Sequence, residues 1–204
     1  MSKALYFTWS IDLNSVTVDV NSRAAYDCFK IATASLELSR RASEEWEISH
    51  HHVTGITFSA FAIEAMINHY AIIYFPDWND KRGSRKYLHK EFFKVVNLPN
   101  YLGSKEYQLA SKCFYLRDRF AHGKSLNESV DVSHDGDRSS TETFNKIMSI
   151  CSEPFRAASF EVLNSFVVLA RKIEQDIETN GFYPNQSNEN LCEGPLGVTG
   201  IRVW

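Results

Sequence analysis

A chain of 204 residues that is 44% apolar can fill one good core but is too short for two ordinary domains. Its net charge of −3 excludes a uniformly basic protein that coats nucleic acid, so any contact with phosphate backbones must come from a local patch. The four cysteines, Cys28, Cys113, Cys151 and Cys192, form no C-x-x-C pair; this argues against a small disulfide scaffold and reads as reduced thiols in a cytoplasmic protein.

The opening run MSKALYFTWSIDL is not a signal peptide pattern, because Asp12 interrupts it and no small-residue cleavage site follows. Residues 1–20 are β-prone. Leu5, Phe7 and Trp9 alternate with polar neighbours, as do Val16, Val18 and Val20, with Asp12–Ser15 as the turn. Residues 21–179 read as one helical domain and residues 180–204 as a tail. Asn21 or Ser22 is the expected cap of a long helix ending near Ser49, with Tyr26, Phe29, Ile31, Ala32, Leu36, Leu38 and Trp46 on its apolar side.

His50, His51 and His52 are read as the polar junction to the next helix. Three adjacent side chains point in three directions, whereas zinc ligands on a helix need i,i+4 spacing, so neither metal nor cofactor is expected. Residues 53–75 are apolar almost all round, as a central helix is. Glu64, Asn68 and His69 lie inside that run and argue against a membrane span. Glu64 and Asn68 are four apart and share a face. A carboxylate in such a helix needs a cation, and Arg117 or Arg119 is the natural partner.

Between Lys81 and Lys94 the only acid is Glu91, against six basic residues. Arg82, Lys86, Lys90 and Lys94 recur every four residues, which makes either a solvated face or a stripe for an RNA backbone. Tyr87, Leu88, Phe92 and Val95 are expected to face inward. A turn at residues 98–103 leads into a helix from about Ser104, which Gly123 is expected to stop. Its last turns carry Arg117, Asp118 and His122. Asp118 and His122 lie roughly 40° apart on one face, so the carboxylate could orient the imidazole. Arg117 is about 140° round and ~7.5 Å along from His122, so the two meet one phosphate only if the helix end loosens or a second copy contributes. Two readings of the triplet stay open: a surface network at a helix end, or a phosphate-holding cation beside a group that moves protons. Residues 123–141 are polar, and the His134-Asp135 pair there lacks the helical partners of metal phosphohydrolases. A helix over 141–151 is expected, then a long amphipathic one from Glu153 to about Thr179, and the last residues could form a strand beside the amino-terminal ones or a partner-binding terminus.

The run RDRFAH resembles the R-x4-6-H motif of the HEPN superfamily (higher eukaryotes and prokaryotes nucleotide-binding domain), and FAIEAMIN, Phe61 to Asn68, is similar to the second helix of many members. The resemblance implies an all-α, up-and-down bundle of four or five helices, here with small β additions at the termini. It implies a homodimer whose paired motifs form a metal-independent endoribonuclease, acting as a toxin or phage-defence effector, with an antitoxin or defence protein as a further partner. Arg117 would hold phosphate, His122 would move the proton, and Asp118 would orient His122. Glu64 and Asn68 would support the site, with Arg82, Lys86, Lys90 and Lys94 contacting RNA. The alternative that the family offers is a catalytically inactive scaffold binding a partner protein or a nucleotide. The toxin subgroup has a Tyr two places after its His; this chain has Lys124 there.

Overall fold

The computed structural model describes residues 24–74, 78, 83–122, 153–181 and 196, together with the backbone of 7–8 and 17–18. The helices are α1 (Ala24–Arg41), α2 (Glu45–Tyr74), α3 (Arg85–Val95), α4 (Lys105–Ala121), the one-turn α5 (Glu153–Arg156) and α6 (Phe160–Asn180), with a 3-10 turn at Tyr101–Gly103 before α4. They form a helical bundle. Phe7–Thr8 pairs antiparallel with Thr17–Val18, Phe7 opposite Val18. The remainder of the expected β arm, Arg82, the polar stretch from Gly123, the 141–151 helix, Cys151, Cys192 and the carboxy-terminal strand lie outside the described residues.

Three helices start on serines, whose hydroxyls accept the otherwise unpaired N–H groups of a first turn. Ser84 takes the N–H of Tyr87, Ser104 that of Tyr107, and Ser159 that of Val162. Helix α3 ends with Asn97 in the left-handed region, φ 64°. Leu98 N–H then reaches Phe93 O at 2.7 Å and Asn97 N–H reaches Lys94 O at 3.3 Å, the two bonds that close a helix end. Asn tolerates this conformation better than other side chains with a Cβ.

Helix α2 is the centre of the bundle and packs against α1, α3, α4 and α6. Ile56, Ala60, Ile63, Met66, Ile67 and Tyr70 are buried along it. Phe166, Leu163, Ile173 and Ile177 from α6, Cys113 and Phe114 from α4, and Phe92 and Phe93 from α3 complete one core. At Gly55 the backbone of α2 comes so close to α6 that an added Cβ would stand 2.6 Å from Leu163 Cδ1.

The boundary between the first two helices differs from expectation. The chain leaves the helix at residues 42–44, so α2 begins at Glu45 and His50–His52 lie inside it rather than at a junction. Breaking here lets α1 reverse and lie along α2, burying Ala25, Phe29, Ala32 and Leu36. Charge favours the break: Arg40 and Arg41 close α1 and both reach Glu37, while Glu45 and Glu47 open α2. Ile31 and Leu38 flank the buried stripe of α1 and are exposed, and Trp46 is exposed in the first turn of α2. In α3 the buried residues are His89, Phe92 and Phe93, with Val96 just after the helix, whereas Tyr87 and Val95 are exposed.

Candidate functional site

The chemistry of the molecule gathers where α2, α3 and α4 meet. Glu64 from α2, Arg85 from the first turn of α3, and Arg117 and Asp118 from α4 form one ion-pair cluster. Arg117 forks onto Glu64, Nη1 to Oε2 at 3.0 Å and Nη2 to Oε1 at 3.1 Å, and its Nε donates to Asp118 Oδ1 at 2.7 Å. Arg85 meets the same two acids from the other side. Its Nε pairs with Glu64 Oε1, and its Nη1 and Nη2 donate to Asp118 Oδ2 and Oδ1 at 3.2 and 3.3 Å. The pair expected between Glu64 and Arg117 is thus present, and Arg85 rather than Arg119 is the second cation. The Nε of Arg119 is buried without an acceptor among the described residues.

Each guanidinium also lies over an aromatic ring, Arg117 over Phe61 at 5.0 Å and Arg85 over Phe114 at 4.8 Å. These stacks fix the plane of the fork as well as its position. The side chain of Arg117 is only 12% exposed, against 44% for Asp118, so Arg117 is the anchored member. Burial opposes its charge, but the hydrogen bonds and charge of Glu64, with Asp118, outweigh that and hold its pKa above the ordinary value. For Asp118 partial burial is likewise outweighed, here by Arg85 and Arg117, which hold the carboxyl below its usual range.

A guanidinium carries five N–H donors, and Arg117 and Arg85 each spend three on the carboxylates. Two donors on each have no acceptor among the described residues. The formal charges of the four side chains cancel, so an incoming anion gains from directed donors more than from net charge.

Asp118 does not orient His122 as the spacing suggested. Its carboxylate is spent on two arginines, because a planar fork satisfies a half-buried carboxylate better than one imidazole N–H. His122 caps α4, its backbone N–H on Asp118 O at 2.9 Å, and its exposed ring has no partner among the described residues. Asn68 belongs to a different contact, accepting from Trp78 Nε1 at 3.1 Å. Lys86, Lys90 and Lys94 stand exposed on α3. Arg85 escaped the sequence reading as one more charge in a basic block, although a signal was there: a cation in the first turn opposes the helix dipole and so asks for a carboxylate partner elsewhere.

Behind the cluster, His89 is buried between Tyr107 and Phe114, its Nδ1 2.9 Å from Tyr107 Oη. Burial, with the charge of Arg85, lowers its pKa to about 4, so it is neutral at pH 7. Burial pushes the Tyr107 hydroxyl up to about 12 and the Cys113 thiol well above its ordinary range. His52 is also buried. Desolvation lowers its pKa against a backbone contact at Ala158, and it lies three turns of α2 before Glu64. Among the described residues no three His, Cys, Asp or Glu side chains converge as metal ligands would, and no helix is long and apolar enough to cross a membrane. No family model, characterised protein or solved structure matches the chain.

Proposed function

We propose that the chain is a metal-independent endoribonuclease of the HEPN type, serving as a toxin or phage-defence effector in the cytoplasm. The observation that carries this reading is the Glu64–Arg117 fork, which fixes one cation in place and leaves two of its N–H donors without an acceptor among the described residues, on the helix that ends in an exposed His122. Cleavage without metal uses the 2′-OH as nucleophile on its own phosphate. It needs a group that moves protons and fixed donors for the charge on the phosphorane. His122 supplies the first and Arg117 the second. Asp118, with Arg85, sets the posture of Arg117 rather than that of His122.

Arg117 turns inward onto α2, whereas His122 is exposed at the helix end. Two copies in a homodimer bring the Arg117 of one and the His122 of the other to one cleft, and Lys86, Lys90 and Lys94 line the approach of the RNA backbone. Incubation of purified protein with tRNA and mRNA in EDTA is expected to give 2′,3′-cyclic phosphate and 5′-hydroxyl ends. Arg117→Ala and His122→Ala are each expected to abolish cleavage with the fold intact. Cleavage that requires Mg²⁺ and leaves 5′-phosphates would count against the reading.

One observation favours a second reading, an inactive scaffold that binds a partner protein. The four-residue cluster is neutral and each of its carboxylates is held by both arginines, as in a structural tie between three helices. Absence of cleavage by the parent protein in the same assay would favour it.

A further inference from the structure

Leu196 is the one described residue beyond Gly181, and it is fully buried in the same core as Ile173 and Ile177. Its backbone N–H donates to Glu174 Oε1 at 2.7 Å. Glu174 stands in the buried stripe of α6 with Ile173 and Ile177, and is only 6% exposed. Its other oxygen, Oε2, accepts from Arg171 Nη1 at 3.0 Å, and that guanidinium lies over the Phe29 ring of α1 at 4.5 Å. A carboxylate in an apolar stripe is costly unless its oxygens are met. Here one oxygen is met from within α6 and the other by a main-chain group 22 residues further on.

The return to Glu174 is longer than the distance requires. Gly181 lies about two turns of α6 beyond Glu174, about 10 Å along the axis. The stretch from 182 to 195 reaches about 45 Å when extended. So long a tether does not set the position of Leu196, which the contacts on α6 must fix themselves. Those contacts have the form of peptide recognition, a main-chain donor on a fixed acceptor beside a buried seat for one side chain. Leu196 belongs to the run Gly194-Pro195-Leu196-Gly197. Pro195 has no N–H to compete for the carboxylate, and the two glycines have no Cβ to hold the backbone off a helix.

We propose that the flank of α6 around Glu174 is a docking site for a leucine-bearing peptide segment, filled in cis by the chain's own residues around Leu196 and open to a second segment of the same chemistry that displaces them. The folded bundle is the receptor and does not depend on the segment. A carboxylate that reads a main-chain N–H is indifferent to sequence, so selectivity rests on the leucine. The site is independent of the ribonuclease reading, since Glu174 and Leu196 lie outside the cluster around Arg117.

Amide hydrogen exchange in the full chain tests it by comparing Leu196 with Ile173, a buried residue of α6. A segment docked on a folded bundle opens without unfolding it. Leu196 should therefore exchange at least about tenfold faster than Ile173, yet at least about fivefold slower than in a free peptide spanning 193–202. Glu174→Gln keeps the shape and removes the charge, so it should cut the protection of Leu196 about threefold or more and leave that of Ile173 in place. Leu196→Asp should stay folded with its site open. In fluorescence anisotropy the 193–202 peptide should bind this variant with a Kd tighter than about 1 mM. It should bind the parent at least about fivefold more weakly, because the cis segment competes at an effective concentration in the millimolar range. The proposal is overturned if Leu196 exchanges in step with Ile173, if it is unprotected, if Leu196→Asp fails to fold, or if the peptide binds parent and variant alike or neither.

Discussion

Arg85 and Asp118, 33 residues apart in the chain, face each other through two hydrogen bonds of 3.2 and 3.3 Å. That contact ties the start of α3 to the last turns of α4 and turns Asp118 away from the histidine one helical turn on. Arg85→Ala leaves Glu64 and Asp118 short of one cation. The expected loss is about 1–3 kcal/mol of unfolding free energy, toward the lower figure because Asp118 is partly solvated. Arg85→Lys should recover only part of it, since an ammonium lacks the fork. Urea unfolding at pH 7 measures both, and a double-mutant cycle with Asp118→Ala isolates the pair.

Glu64→Gln keeps the shape of the α2 partner while removing the charge that holds Arg117. If Arg117 must be held in place for cleavage, kcat should fall about tenfold or more while KM for RNA changes little, because positioning acts on the reacting geometry. Rescue by Glu64→Asp should be partial. An unchanged kcat in Glu64→Gln would separate this carboxylate from the chemistry.

His89 makes stability depend on pH in a defined window. Its folded pKa is lowered to about 4 by burial and by Arg85, below the reference value of about 6.5 for an unfolded chain. The unfolded state therefore binds more protons than the folded state between these values, and stability falls as pH drops through the window. A loss of roughly 2 kcal/mol is expected between pH 7.5 and pH 5, with full stability kept above about pH 7. His89→Gln, which retains a partner for Tyr107, should flatten that part of the profile in urea titrations at several pH values. A His89→Gln profile as steep as the parent's would place the proton elsewhere.

Gly55→Ala should destabilise the protein even though alanine is the better helix former. The new Cβ would meet both methyls of Leu163, at 2.6 and 2.7 Å, and that side chain is fully buried. Overpacking of this kind costs about 1–3 kcal/mol. Leu163→Val in the same chain should recover part of the loss, which a thermal melt of the double variant would show.

Local pattern alone determined much of the bundle. The near-continuous apolar run of α2 required a covered, central helix, and Ser104 marked the start of α4 because its hydroxyl meets an orphan N–H group. Ser84 and Ser159 emerged as caps only in the structure, where the helix expected to run from Glu153 to about Thr179 breaks before Phe160. The need of Glu64 for a cation was equally legible, since a carboxylate in an apolar helix is costly unless paired. Tertiary structure decided the rest. Residues 42–44 contain no strong helix breaker, and the chain turns there because α1 buries its stripe only by folding back along α2. Arg85 looked like its lysine neighbours until packing set the start of α3 beside Glu64 and Asp118. Asp118 stood at the right spacing for His122, yet spacing within one helix does not reveal what another helix brings. Two arginine forks, one of them from α3, outcompete one exposed imidazole for a half-buried carboxylate, because each satisfies its oxygens with charge and direction together.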